Sequence, residues 1–421
     1  MYHVTQLDCG LTVVSAALPH MASVALGVWI GVGGRYETAS HSGISHFIEH
    51  LLFKGTRRRT AAQISQSVEG IGGYLNAFTD EEHTCLYARA RADRLEILVD
   101  VLLDMYLDSR FAPAEITRER SVIKEEIAMY RDQPAEQIHD LLNALQFPRH
   151  PLGRPVIGTA RTLDGIGRPE ILQHLQRHYV AGGTVIAAAG AVEHDTLVGL
   201  IRPWIDRFRP GKRPAFVPAP NPGNTASVRV VQKSVEQANL ALAIRACSRH
   251  SPDRFALRLL NVILGENMSS RLFQVVRERH GLTYNIQSSA SFWDDCGDLV
   301  ITAGLDPSEV SKTIRLVRKE MERLSSRLTG QDEFDRARDY VLGQFDLHLE
   351  STENHMMALG EMWLGFGRLV PPVETRRDLS TVTPTDVRRV AREFFRPDRL
   401  SLAVITPRPP RESLESILVE G

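Results

Sequence analysis

Cysteine is scarce in this chain, and its apolar segments are short. The 421 residues include four cysteines, Cys9, Cys85, Cys247 and Cys296, scattered with no C-x-x-C pair. That spacing excludes a disulfide framework and a thiolate zinc site, and the thiols read as reduced and mostly buried. Neither sign of charge is in excess: 50 Lys and Arg against 51 Asp and Glu leave a net charge of −1. There is thus no electrostatic case for a nucleic-acid partner, and no RNA- or DNA-binding motif is present. The apolar segment 24–32 (VALGVWIGV) is too short to span a bilayer and alternates small with large residues, as a buried strand does. No secretory signal and no Arg/Ser-rich leader precedes the first strand-like run, QLDCGLTVVSAAL. The expected location is cytoplasmic, with no membrane partner.

What the chain does have is the composition of an ordinary globule, 43% hydrophobic and 24% charged. Its length exceeds what one core usually holds, so two domains are expected. The best linker is the Pro/Gly-rich stretch RPGKRPAFVPAPNPG, which divides the chain into 1–208, a linker 209–225, and 226–421. Segments on either side echo one another. EITRERSVIKEEI matches EFDRARDYVLGQF, LDGIGRPEILQHLQRHY matches LSTVTPTDVRRVAREFF, and HFIEHLLFKG aligns loosely with ALRLLNVILG. Each half alternates strand runs (24–32, 84–90, 184–191; 240–246, 299–303, 400–405) with long amphipathic helices, a mixed α and β pattern.

The chemistry concentrates at residues 46–50, His-Phe-Ile-Glu-His. On a helix, His46 and His50 lie about 40° apart round the axis, close enough to hold one metal ion. Glu49 sits on the same side, where a carboxylate could take a proton from water at the metal. The apolar neighbours Ile44, Phe47, Ile48, Leu51 and Leu52 make a separate stripe for the core. This is the H-x-x-E-H arrangement, the inverse of H-E-x-x-H. A catalytic zinc needs a third protein ligand. In EITRERSVIKEEIAMYR, Glu119 and Glu126 fall on the same helical stripe as Ile116, Ile123, Ile127 and Tyr130, whereas Glu125 does not. A carboxylate facing a core is costly unless it is paired or binds a metal. Two helical turns separate Glu119 from Glu126, about 10 Å, so both do not readily bind one ion. Glu126 as ligand with Glu119 in support is the economical assignment. In the second half the positions of His46, Glu49 and His50 become Ala256, Leu259 and Leu260, and those of Glu119 and Glu126 become Ala337 and Gln344. The helix pattern survives while the whole set is lost together, as expected of a metal site confined to the first copy.

HFIEHLLFKGT followed by ERSVIKEE resembles the pitrilysin/insulinase family of inverted-motif zinc peptidases, and most nearly the short members similar to the catalytic subunit of the mitochondrial processing peptidase. The likeness runs from Leu7 to about Pro407. It implies an α+β fold of two homologous domains, each an antiparallel sheet packed on one side by helices. It also implies one zinc per chain at His46, His50 and Glu126, with Glu49 as general base and Glu119 assisting. YLNAFT (74–79) resembles the edge strand on which the family lays extended peptides, which makes Asn76, Ala77 and Phe78 candidate substrate contacts. Arg277 and Tyr284 in RERHGLTYNI resemble an Arg…Tyr pair that meets the substrate backbone near the scissile bond; an Arg on a helix surface and a Tyr in a strand core would look the same. Glu136 and Asp140 stand where processing-peptidase relatives receive an arginine side chain, or else are two solvated helix carboxylates. The implied enzyme is an endopeptidase with an enclosed chamber, working as a homodimer or as a heterodimer with a related subunit. The rival class is a scaffold subunit of the same fold, but such chains typically lack part of the metal set. Short non-catalytic relatives also carry a glycine-rich loop where this chain reads LGENMSSRLF.

Overall fold

The computed structural model describes residues 2–223 and 226–419, so the last two linker positions, 224 and 225, lie outside it. In the first half, β1 (Tyr2–Gln6), β2 (Thr12–Ala17), β3 (Ser23–Ile30), β4 (Tyr74–Thr79), β5 (Thr84–Arg91) and β6 (Thr184–Gly190) build one sheet in the order β1-β2-β6-β3-β5-β4. In the second half, β7 (Ser227–Gln232), β8 (Ala238–Ala246), β9 (Thr283–Phe292), β10 (Gly297–Leu305) and β11 (Leu400–Thr406) build another, ordered β7-β11-β8-β10-β9. With β1 set aside the two orders are the same, so the echo seen in the sequence is a duplication of topology.

The sheets are antiparallel except for one neighbouring pair in each, β2/β6 and β7/β11. The expected antiparallel sheets are thus present, and the one parallel pair in each has a geometric reason. The last strand of each copy inserts between two strands of opposite direction, so it must run parallel to one of them. One correction concerns the faces, which were expected to carry helices on one side only. One face of the first sheet carries Val13, Leu26, Val28 and Ile30 and packs on a helical layer that includes Phe47, Ile48, Leu51, Ile116, Ile123 and Ile127. The alternate residues Val14, Trp29, Val185 and Ala187 point to the other face, as the period of a strand requires. There they pack on Met356, Leu359 and Leu364 of a helix, Thr352–Phe366, that comes from the second half of the chain. The second sheet has the reciprocal arrangement: Ala241, Ala243 and Ala403 pack on Ile138 and Leu142 of the helix Pro134–Gln146, from the first half.

The compact units are therefore discontinuous. One comprises Met1–Ala128, Arg154–Val217 and Asp346–Pro371, and the other Met129–Gly153, Pro218–Phe345 and Pro372–Gly421. A linear division at the linker follows the two sheets but misplaces these two helices. The first part of the linker belongs to the first unit: Phe216 lies under the Arg35 guanidinium at 3.9 Å, and Arg35 donates to the carbonyl of Val217. Among the described residues, no helix is long and apolar enough to cross a membrane.

Candidate metal centre

The motif forms a helix, Ile44–Leu52, that starts after Gly43 at φ 96°. A Cβ on Gly43 would lie 2.7 Å from the Ile157 carbonyl, so glycine is required there. Glycine offers no side-chain cap. Buried Glu37 fills that role from outside, accepting from the Gly43 N–H at 2.7 Å and the Ser45 N–H at 2.8 Å. Burial pushes the Glu37 carboxyl up to about 7, against the pull of those two donors and of the Arg154 charge. Ile44, Phe47, Ile48, Leu51 and Leu52 are buried, which leaves the two histidines on the other side with ring centroids 4.6 Å apart.

The second contributor is the long helix Pro113–Asp132. Ile116, Ile123 and Ile127 are buried, and Glu119 with them; Glu126 is half-buried and Glu125 exposed. Tyr130, expected on the same stripe, is exposed, because Ile127 is the last buried residue of the helix. Glu126 Oε2 lies 4.0 Å from His46 Nε2 and 3.7 Å from His50 Nε2. One donor atom from each of these three residues lies within 4.8 Å of the other two. Ligands about 2.0–2.1 Å from a tetrahedral zinc stand about 3.3 Å apart, so a small inward movement of the three would close on such an ion.

The surroundings fit a metal of that kind. Burial, then the nearby His50, lowers the pKa of His46 to about 4, so near neutrality its ring is an uncharged donor. On the far side of His50, Nδ1 stands 3.3 Å from Glu119 Oε2. With its proton on Nδ1, the ring turns the Nε2 lone pair towards Glu126, the carboxylate–histidine arrangement that orients metal ligands. Lys54 Nζ, 2.9 Å from Glu119 Oε1, balances the charge of that buried carboxylate. Glu49 belongs to a different environment. Burial raises its pKa, opposed by the Thr79 hydroxyl, which donates to Oε2 at 2.6 Å, and by His50.

Sequence reasoning passed over three of these residues. Lys54 was legible, four residues past His50 and just beyond the end of the motif helix. Thr79 ends β4 and reaches Glu49 only through the sheet, while Glu37 reaches the motif helix only through a loop; neither has a local sequence signature. The second copy bears none of the set: Ala256, Leu259, Leu260 and Ala337 are buried apolar residues and Gln344 is exposed.

The other candidates fall elsewhere. Residues 74–79 form β4, an edge strand as expected. The Ala77 N–H is taken by its neighbour's side chain, Asn76 Oδ1, at 2.9 Å, so this donor points off the sheet rather than into it. Phe78 is partly buried against Trp29, 5.5 Å between centroids. Arg277 and Tyr284 lie in the second unit and are brought together, the guanidinium 5.0 Å from the Tyr284 ring centre. Tyr284 is 83% exposed, which removes the reading of a strand-core residue. Arg277 sits on a π-helical turn, Phe273–Arg279, a local distortion common at functional sites. Glu136 and Asp140 are exposed on the helix Pro134–Gln146, opposite its buried Ile138 and Leu142.

A duplicated α+β fold with a histidine–histidine–carboxylate cluster in its first copy alone is a narrow class. The chain belongs to the insulinase family, peptidase family M16: the family's own pattern matches residues 12–160, and the pattern described as the peptidase M16 inactive domain matches residues 165–341. Its relatives include an uncharacterized zinc protease of Streptomyces coelicolor, 38% identical over 96% of this chain and 89% of that one. Another uncharacterized zinc protease, from Bacillus subtilis, is 34% identical over 94% of this chain and 96% of the relative. Among solved structures, a protease from Helicobacter pylori matches with a TM-score of 0.91 at 22% identity, over 97% of this chain and 99% of that chain. A structure titled peptidase M16 inactive domain, from Pseudomonas fluorescens, matches with a TM-score of 0.90 at 19% identity, covering 98% and 100%. These two likenesses speak to the fold alone.

Proposed function

We propose that this chain is a zinc-dependent endopeptidase acting on peptides or unfolded protein segments, with one zinc held by His46, His50 and Glu126. The convergence of those three donors, with Glu119 behind His50 and Glu49 alongside, carries the reading; the zinc protease names of relatives at 34–38% identity support it. Zinc in such a site lowers the pKa of bound water towards neutrality and polarises a carbonyl. The remaining work belongs to the chain. Glu49, whose pKa burial raises, takes a proton as water adds to the scissile carbonyl and returns it to the leaving amine. Thr79 holds that carboxylate in place. The outward-pointing N–H of Ala77 on the β4 edge, freed when Asn76 turns aside, pairs with an extended substrate, and Phe78 packs beside it. Arg277 and Tyr284 donate to the developing oxyanion. Glu136 and Asp140 favour a basic substrate side chain.

The chamber is completed by a second chain in a homodimer, Arg277 and Tyr284 of each serving the zinc of the other. The test of the function is hydrolysis of a mixed peptide library by the purified chain. Chelation should abolish cleavage and added zinc restore it. Arg or Lys should be enriched near the cleaved bond, and the enrichment should fade in Glu136→Gln with Asp140→Asn. Cleavage that survives chelation contradicts the metal role, and a profile without basic preference contradicts that of the two carboxylates.

A further inference from the structure

The 50 basic and 51 acidic residues of the chain nearly cancel, yet one cleft of the first unit gathers charge of a single sign. It measures about 690 Å³ and is lined by Arg57, Arg110, Arg168, Arg207 and Arg209, with no Asp, Glu or Lys in its wall. Arg207 is paired with Asp108. The other four make no ion pair among the described residues. Arg168 Nε donates to the carbonyl of Phe111 at 3.1 Å and Arg110 Nη2 to the carbonyl of Arg57 at 3.4 Å, which holds two guanidinium groups on neutral acceptors. Four guanidinium groups collected in one concavity, beside a single carboxylate already paired to Arg207, repel one another, and an oxyanion relieves that repulsion while accepting paired N–H bonds.

The cleft is also built rather than incidental. Backbone hydrogen bonds tie its two walls, Arg57 N to Asp108 O at 3.0 Å and Arg110 N to Gly55 O at 3.1 Å. Phe111 adopts φ 48°, one of two positive values at non-glycine residues among those described; strain of this kind persists where its surroundings enforce it. Beside the arginines lie Leu172, 39% exposed, and Leu175, an apolar strip for a ligand that is not all charge. The volume lies within the range of small-molecule sites and far exceeds a single phosphate ion.

We infer that this cleft is a binding site for a small molecule carrying two or more phosphate groups on an organic body, of the nucleoside polyphosphate class. It involves none of the metal-centre residues, so it stands or falls independently of the peptidase reading.

Calorimetric titration of the full chain with ATP, ADP, AMP, adenosine and inorganic tripolyphosphate tests it. One site per chain is expected, with ATP binding at a dissociation constant on the order of 10 µM and weakening with each phosphate removed and with rising salt. Arg57→Gln with Arg168→Gln, and separately Arg110→Gln with Arg209→Gln, should each weaken ATP at least about tenfold. These arginines are exposed, so circular dichroism should match wild type, and Arg411→Gln, outside the cleft, should bind as wild type does. Glu49→Gln should also bind unchanged. Vesicles of phosphatidylcholine with phosphatidylserine form the other arm, since a lipid headgroup offers the same chemistry. Binding to vesicles without saturable binding of free polyphosphates overturns the inference, as does ATP binding that ignores both double variants.

Discussion

Glu119 stands behind His50, 3.3 Å from its Nδ1, rather than among the three converging donor atoms. Its Oε2 faces His50 Nδ1 and its Oε1 the Lys54 ammonium; on the proposed function it acts through His50 rather than as a ligand itself. Glu119→Gln should therefore weaken metal affinity about 10–100-fold without abolishing it, whereas His50→Ala should abolish it; metal titration against a chromogenic chelator separates the two. Equal loss in both variants would make Glu119 a ligand. Glu37 offers a test of stability instead. Its carboxyl ionises near 4.5 ordinarily and near 7 in the fold. Between those values the folded chain holds a proton that the unfolded chain has released, so the contribution of this group to stability falls as pH rises through that window. Glu37→Gln carries no titrating group and resembles the protonated carboxyl, with one good acceptor for the two N–H groups, so its stability should lie near that of wild type at the acid end. The Tm of Glu37→Gln should rise relative to wild type from pH 4.5 to 7; a difference that stays constant would contradict the shifted ionisation.

At the scale of elements, the helix Thr352–Phe366 is where packing is least forgiving. Gly360 meets the face of Trp29, whose indole also donates to Met356 Sδ at 3.4 Å, and a Cβ there would lie 2.3 Å from indole atoms. Gly360→Ala should cost about 1–3 kcal/mol by overpacking. Gly343, exposed in the helix Gln331–His348 with nothing within 4 Å of a Cβ, should gain about 0.5–1 kcal/mol from the same change. Chemical denaturation of the two variants reads both signs, and loss of stability in both would place the cost in helix backbone rather than in Trp29. The same helix marks the limit of what was legible in the chain. Periodicity located β3, β5, β6 and β11 to within a residue or two, because buried strands alternate against a fixed core. The motif helix and Glu126 were legible because a carboxylate on an apolar stripe violates its surroundings. That Thr352–Phe366 covers the first sheet, and Pro134–Gln146 the second, follows from pairing between halves, which leaves no local pattern. Insertion of β6 beside β2 and the reach of Thr79 to Glu49 were hidden for the same reason.

For the whole molecule, the duplication separates two sets of side chains: one copy carries the His46, His50 and Glu126 donors, and the other an exposed Tyr284 beside Arg277. If these serve a partner chain, then Glu49→Gln chains mixed with Arg277→Ala/Tyr284→Phe chains, each inactive alone, should regain activity as mixed dimers carrying one intact site each. A mixture that stays inactive despite demonstrated subunit exchange would refute service in trans. The most direct test of the proposed zinc peptidase is zinc content and peptide hydrolysis measured together on wild type and Glu49→Gln. The predicted result is about one zinc per chain in both, with hydrolysis reduced at least about a hundredfold in the variant. Wild-type protein without zinc, or a variant cleaving at the wild-type rate, would contradict it.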